Sequence, residues 1–415
     1  MPDNFLPFSK PCISQAAKDE VSACLSSGWI TTGPRVQAFE KALTNYLQAP
    51  FVSALATATA GLHLSLLSMG LQPGDEVITT PLTFVATLNV IALCGAKPVL
   101  VDIDDTYNMD VSQVEAAITS DTKVILPVHL TGLPVDLDSL YTLAQKYDLR
   151  ILEDAAQAIG THYKGRPIGS FGDTQVFSFH PNKNMTTGEG GCISSSDESL
   201  MQQVNILKFH GIDKNAWDRY GKKGNQHYDV PMPGYKYNMM DIQAALGIHQ
   251  LAALENFIQQ RTRIAERYLE KLADWPQITL PQLPTSYQYR HSWHLFAIKI
   301  NEDAAKMNRD TFMQKMVEKG IGTGLHYEPP HLYRYYRETF GFKVGDYPKA
   351  EDTGSRIVSL PLFADMTLTE QDRVISAMAE IFEQCGEHTQ NRLYAKNSEH
   401  SGPGLQPGGG LAFAK

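Results

Sequence analysis

Val176-Phe-Ser-Phe-His-Pro-Asn-Lys-Asn-Met-Thr-Thr-Gly-Glu-Gly-Gly191 is the stretch whose reading decides the fold. An apolar β-type run (Val176, Phe177, Phe179) carries the backbone to His180. Pro181 then ends the strand, because it has no N–H for the ladder, and a polar turn presents Lys183 beside the loop Gly188–Gly191. Alone, a lysine in a turn reads as a solvated charge. The stretch Ile151-Leu-Glu-Asp-Ala-Ala-Gln157 changes that reading, since there a second apolar strand ends in a carboxylate, Asp154, followed by small residues. Two buried strands ending in a lysine and an aspartate supply what pyridoxal phosphate requires. One offers an amine for covalent attachment, the other an anion that keeps the ring nitrogen protonated.

Outward from these two strands the pattern alternates. Strands are predicted at 51–55, 75–80, 97–102 and 124–129, with helices at 13–27, from Thr57 or Thr59, at 85–92 and at 137–147. Such alternation predicts an α/β fold with a mainly parallel sheet and helices on both faces, and ligand groups gather at the carboxyl ends of its strands. A helix capped by Thr57 or Thr59 presents free N–H groups around Ala58 and Thr59, which suit a phosphate as well as a plain cap. Phe84 stands at a strand-to-helix turn, where an aromatic either packs in the core or stacks on a planar heterocycle. Asp241 begins another helix, and a long helical pattern runs from Leu254 to Leu272. Beyond it come an alternating strand at 292–300, a helix at 309–319, a Gly-rich strand and loop at 320–331, and an amphipathic helix at 368–382. That order predicts a smaller C-terminal α+β domain.

Composition narrows the function classes. With 415 residues and 43% hydrophobic content the chain suits a large and a small domain. The formal net charge of -9 and the lack of a basic cluster argue against a nucleic-acid partner, so an anionic ligand must be held by a few local groups. The five cysteines are scattered without C-x-x-C spacing, which points away from a disulfide framework and a zinc site. His326 and His331 lack a third ligand at metal spacing, so no metal is expected. No apolar run reaches membrane-spanning length and the N-terminus lacks a leader pattern, which makes the cytoplasm the default compartment.

The motifs E-D-A-A-Q-A, F-S-F-H-x-x-K-x-x-T-T-G-E-G-G and P-G-Y-K-Y-N-x-x-D-I-Q-A-A-L-G, in this order, resemble the DegT/StrS type of sugar-nucleotide aminotransferase, a fold-type I pyridoxal-phosphate family. The resemblance spans about Phe5 to Phe382. It implies residues 1–254 as N-terminal arm and large cofactor-binding domain and 255–385 as the small domain, while the composition of 386–415, with S-G-P-G-L-Q-P-G-G-G, is that of a flexible tail. It assigns Lys183 as the attachment lysine and proton carrier, and Asp154 as partner of the ring nitrogen. Around the cofactor it further places Ala58 and Thr59 on the phosphate, Phe84 on the ring and Ser178 on the phosphate; beside these, Gln157 can reach the phenolic oxygen side of the ring or bond to its own loop, and His180 either packs over the cofactor or satisfies a buried backbone group. In the family the loop bearing Lys236 crosses a homodimer interface and reaches the partner's cofactor phosphate, so the active sites are expected to be shared. Trp29 and Thr31 lie near the sugar substrate, and His326 and Tyr327 are further candidates for substrate contact.

The implied reaction moves an amino group from glutamate, which leaves as 2-oxoglutarate, to a keto-sugar nucleotide used for cell-envelope polysaccharide or lipopolysaccharide. The segments S-G-W-I-T-T-G-P, K-F-H-G, A-W-D-R and G-I-G-T-G-L-H are similar to members acting on a UDP-linked 4-keto-pentose, with 4-keto-hexoses next. Two other readings exist on this scaffold. A deoxysugar dehydratase would carry histidine at position 183, and a non-catalytic regulator would need a DNA-binding basic element.

Overall fold

The structure, a computed structural model, describes residues 4–213 and 227–398. In chain order the strands of the first part are β1 (Phe51–Leu55), β2 (Glu76–Thr79), β3 (Lys97–Leu100), β4 (Thr122–Ile125), β5 (Arg150–Asp154), β6 (His162–Tyr163), β7 (Arg166–Pro167), β8 (Thr174–Ser178) and β9 (Gly191–Ser195). Seven of them form one sheet in the order β1-β9-β8-β5-β4-β2-β3. Only β9 runs against the others, pairing antiparallel with both β1 and β8. The mainly parallel α/β architecture is therefore present. The sheet interior is apolar on both faces, with Phe39, Phe177, Phe179 and Ile258 in one core cluster and Leu62, Leu152, Val176 and Ile193 in another. Helix Ala58–Ser68 is buried nearly all round, which its near-continuous apolar sequence requires. Gly61 lets it lie directly on the sheet, since a Cβ there would fall 2.7 Å from Val176 Cγ1.

Strands β10 (Ile278–Thr279), β12 (Phe296–Ile300) and β13 (Ile357–Leu360) make a second, antiparallel sheet. Helices Arg309–Glu318 and Leu368–Ser398 pack on it around Tyr268, Phe296, Phe312 and Met378. This is the smaller α+β unit expected from the sequence. It is tied to the large unit by β11 (Tyr289–Arg290), which pairs with β6 of the small hairpin β6–β7.

The expected division at 254/255 does not coincide with a break in the chain. A single helix, Asp241–Lys271, runs through it, with Leu251, Leu254 and Ile258 in the large unit's core and Ile264, Ala265 and Tyr268 in the small unit's. The N-terminal arm also belongs in part to the small unit. Leu6 is buried in that core, and its N–H and C=O bond to Gly320 O and Gly322 N at 2.9 and 2.8 Å. Helix Leu368–Ser398 continues past Gly386, where a flexible tail was expected, because no proline or paired glycine interrupts residues 387–398. Residues 399–415 lie outside the described residues, as do 214–226 of the loop before Pro233, including A-W-D-R. The predicted strand at 292–300 begins only at Phe296. Residues 291–294 form a turn instead, with Trp293 in the left-handed region at φ 48°.

Candidate active site

A cavity of about 620 Å³ opens at the carboxyl ends of β5 and β8. The parallel run brings Asp154, the last residue of β5, beside β8, which ends at Ser178 and leads through His180 to Lys183. Both predicted groups line this cavity, together with Ala58, Thr59, Phe84, Gln157, Ser178, His180, His326 and Tyr327.

Asp154 is held rigidly. Its Oδ2 accepts from Thr87 Oγ1 at 2.8 Å and its Oδ1 from Ala156 N at 3.1 Å. Thr87 spends its one proton on Asp154, so the 2.8 Å contact between Thr83 and Thr87 has Thr83 as donor. Burial pushes the Asp154 carboxyl above its ordinary range, opposed by these hydrogen bonds and by Lys183. Lys183 sits at the turn of the β8–β9 connection, its N–H bonded to His180 O at 2.9 Å. Burial of the amine lowers it to about 8, with Asp154 pulling the other way. A lysine so placed is still mainly ammonium at pH 7, but it holds about a tenth of its amine as free base there, far more than an ordinary lysine does, and nucleophilic and proton-transfer chemistry draw on that form.

The N-terminus of helix Ala58–Ser68 forms another wall. Thr57 caps it through Oγ1, which accepts from Ala60 N at 3.0 Å, leaving Ala58 and Thr59 at the cavity with the first N–H groups of the helix. β9 passes close behind this turn only because residue 191 is glycine. A Cβ there would lie 2.5 Å from Ala58 N and 2.7 Å from Phe177 O. Phe84, 55% exposed as the residue before helix Val85–Leu93, holds its ring at the cavity with its centroid 5.7 Å from that of Tyr327. Opposite, Gln157 accepts from Thr131 N at 2.7 Å and donates to Tyr327 Oη at 3.0 Å, keeping a second N–H. The Tyr327 proton thus stays available to a ligand. His326 turns its Nδ1 to Ser359 Oγ at 2.9 Å, and burial lowers it to about 3. His180 is exposed at the rim with Nδ1 2.9 Å from Asn182 Oδ1. His331 pairs with Glu351 at 3.0 Å, and among the described residues no three His, Cys, Asp or Glu side chains form a group that could hold a metal.

Trp29, Thr31 and Lys236 do not line this cavity, and the segments that carry them adjoin one another instead. Asn238 donates to Thr32 Oγ1 at 2.6 Å, and Asp241 N to Thr31 O at 3.2 Å. Trp29 Nε1 donates to Thr32 O at 3.2 Å, and Lys236 Nζ to Asn238 Oδ1 at 2.6 Å over the Phe209 ring. Sequence reasoning missed Thr87 and His294. Thr87 gives no signal inside an apolar helix. His294, whose Nε2 lies 3.5 Å from Lys183 Nζ, was hidden in what read as an alternating strand.

The residues present fit pyridoxal phosphate: a carboxylate at the end of β5 and an amine in the turn after its parallel neighbour β8, a helix N-terminus for an anion, and an exposed ring at the mouth. The profile of the DegT/DnrJ/EryC1/StrS aminotransferase family matches residues 11–379. An uncharacterised protein of Methanocaldococcus jannaschii is 44% identical over 380 residues, covering 91% of this chain and 98% of that protein. A Streptococcus pneumoniae structure described as a sugar aminotransferase in its PMP form superposes with TM-score 0.85 at 36% identity, covering 92% of this chain and all of that one. Helicobacter pylori PseC, an aminotransferase of pseudoaminic acid biosynthesis, superposes with TM-score 0.84 at 29% identity over the same shares.

Proposed function

This chain belongs to the DegT/DnrJ/EryC1/StrS aminotransferase family, and from that premise we propose that it carries an amino group from glutamate to the keto carbon of a sugar nucleotide. Its cofactor is pyridoxal 5'-phosphate, as in the PLP and PMP forms of its structural relatives. The observation that carries the reading is the convergence of Lys183 and Asp154 on one cavity beside the Thr57-capped helix. The cofactor, when bound, supplies an electron sink for charge developing at the amine-bearing carbon.

The remaining work falls to residues of the chain. Asp154, fixed by Thr87 and Ala156, is the anion that keeps a proton on the ring nitrogen. Lys183 holds the cofactor covalently and, once released, moves a proton to and from the reacting carbon as a buried amine of lowered basicity. Ala58 and Thr59 N–H groups and Ser178 receive the phosphate, Phe84 covers the ring, and Gln157 and Tyr327 meet ring or substrate oxygens. Trp29 and Thr31 would serve the sugar, and Lys236 the phosphate, from the partner of a homodimer. Their common ledge outside the chain's own cavity supports that placement. The presence of Lys183 itself disfavours a dehydratase.

Borohydride reduction of cofactor-loaded protein, followed by peptide mass analysis, should place the pyridoxyl group on Lys183. Another labelled lysine overturns the assignment. Substrate class is tested by offering UDP-, GDP- and dTDP-linked keto-sugars with glutamate as donor. A UDP-4-keto-pentose for amino-arabinose-type envelope sugars is expected first and 4-keto-hexoses next; failure of every keto-sugar nucleotide with glutamate refutes the reading.

A further inference from the structure

His294 is 2% exposed and points its imidazole at the attachment lysine, with Nε2 3.5 Å from Lys183 Nζ. The contact is at the long end of the hydrogen-bond range, as such contacts are in sites awaiting their ligand. The turn that carries His294 is pinned from several sides. Asn184 Nδ2, one residue from Lys183, donates to Ser292 O at 2.8 Å. The buried Arg261 guanidinium donates to the carbonyls of Trp293, His294 and Leu362 at 3.3, 3.3 and 3.0 Å. His291 stacks on Trp293 at 3.9 Å between centroids. The ring therefore has little freedom to turn away.

Its other nitrogen, Nδ1, is buried with no hydrogen-bond partner among the described residues. A buried N–H left without an acceptor is rarer than a buried acceptor left without a donor, which favours a bare Nδ1 and a proton on Nε2. A second ring proton is opposed by burial and by the surrounding groups Lys183, Arg261, His326 and His180, in order of weight after burial. A neutral ring with its proton on Nε2 has nothing to offer an ammonium, but it can donate to an amine that has a lone pair.

We propose that His294 is a positioning residue for Lys183: as the Nε2–H tautomer it donates to the lone pair of the amine, which favours the free-base form of Lys183 over the ammonium and aims it at the cavity. This rests on Lys183 being the attachment lysine only for its consequence in turnover; the contact itself is a property of the protein chain. Asp154, the carboxylate facing Lys183, favours the ammonium, so His294 and burial act together against it.

The test uses the full chain prepared without cofactor. Trace acetylation of Lys183, followed by mass spectrometry across pH, reports the half-labelling pH of its amine in wild type, His294→Phe and His294→Gln. Phe removes the donor, whereas the Gln amide places an N–H near the original Nε2. His294→Phe should raise the half-labelling pH by about one, and His294→Gln should stay near wild type, with both variants keeping a cooperative melt. An unchanged or lowered value in His294→Phe overturns the proposal, a lowered one meaning that the ring had been accepting from the ammonium. Long-range proton–nitrogen NMR of the wild-type chain, with His294 assigned by its loss in His294→Gln, needs no folded Phe variant. It should show the Nε2–H form, and an Nδ1–H form refutes the proposal. Because neither readout involves a sugar substrate or turnover, failure here leaves the aminotransferase reading standing, and failure of that reading leaves these results interpretable.

Discussion

Burial works on Lys183 and Asp154 in opposite directions, and both effects have consequences for the cofactor-free chain. The Lys183 amine is lowered from 10.5 to about 8. A depressed value means that the stability it confers is fully present above 10.5 and is lost as pH falls through 8. At pH 7 the folded protein therefore carries a buried ammonium at a cost. Lys183→Met should stabilise the cofactor-free protein there by about 2–3 kcal/mol in urea melts, and the difference should vanish as pH approaches the unfolded value. Asp154 is raised, mainly by burial, so its contribution is fully present below its ordinary 3.8 and is lost as pH rises through the folded value. Asp154→Asn should then fold at least as well as wild type at neutral pH. With cofactor bound it should nonetheless lose turnover by several orders of magnitude, since an amide cannot hold the ring nitrogen protonated. Near-normal turnover in a cofactor-loaded Asn variant would exclude that role.

Among the elements, helix Pro34–Leu47 lacks a capping side chain of its own, because its N-cap is Gly33. The cap comes from across the molecule. Asp241, buried at the start of helix Asp241–Lys271, accepts from Val36 N at 3.0 Å and Arg35 N at 3.2 Å. Asp241→Ala should cost about 1–2 kcal/mol in denaturant melts and loosen the segment Trp29–Gly33 that meets this cap. The other sensitive joint is where β9 passes behind the helix turn at Ala58. Gly191→Ala sets a methyl against backbone N and O atoms that no rotamer change can move. It should destabilise the chain by about 1–3 kcal/mol and weaken cofactor binding through the displaced helix N-terminus, which fluorescence titration would report. Unchanged affinity and melt in Gly191→Ala would show that β9 yields there.

Taken as a whole, the molecule presents one cavity wall incomplete in electrostatic terms. Among the described residues Lys183 is the only Lys or Arg that lines the cavity, and the end at Ala58 and Thr59, proposed for the phosphate, has none. A phosphate in a chain of net charge -9 calls for another cation. Under the proposed two-fold arrangement each Lys236 serves the opposite cavity. Mixing then makes the test sharp. Lys183→Ala and Lys236→Ala subunits, refolded together at limiting cofactor, should give heterodimers with one doubly defective site and one intact site, so activity should exceed that of either parent. Mixed dimers without recovery would place both lysines in the same subunit's site.

Local chemistry was enough to read the strand end at Asp154, the turn that presents Lys183, a threonine cap at 57 or 59, the turn at Phe84 and the alternation that makes a mainly parallel sheet. Each is written in consecutive residues by hydrophobic period, capping side chains and the positions of Pro and Gly. What needed the tertiary structure depends on residues distant in the chain. Helix Asp241–Lys271 shares its face between two cores, so no composition change marks a boundary at 254. Leu6 completes a core built from residues beyond 260. Thr87 meets Asp154 across 67 positions and His294 meets Lys183 across 111. Such contacts are set by how parallel strands and their connecting turns stack, and a side chain carries no local signal of the partner that packing will bring to it. The sequence alone determined the chemical groups and the strands that deliver them; folding alone decided which neighbours would set their charge.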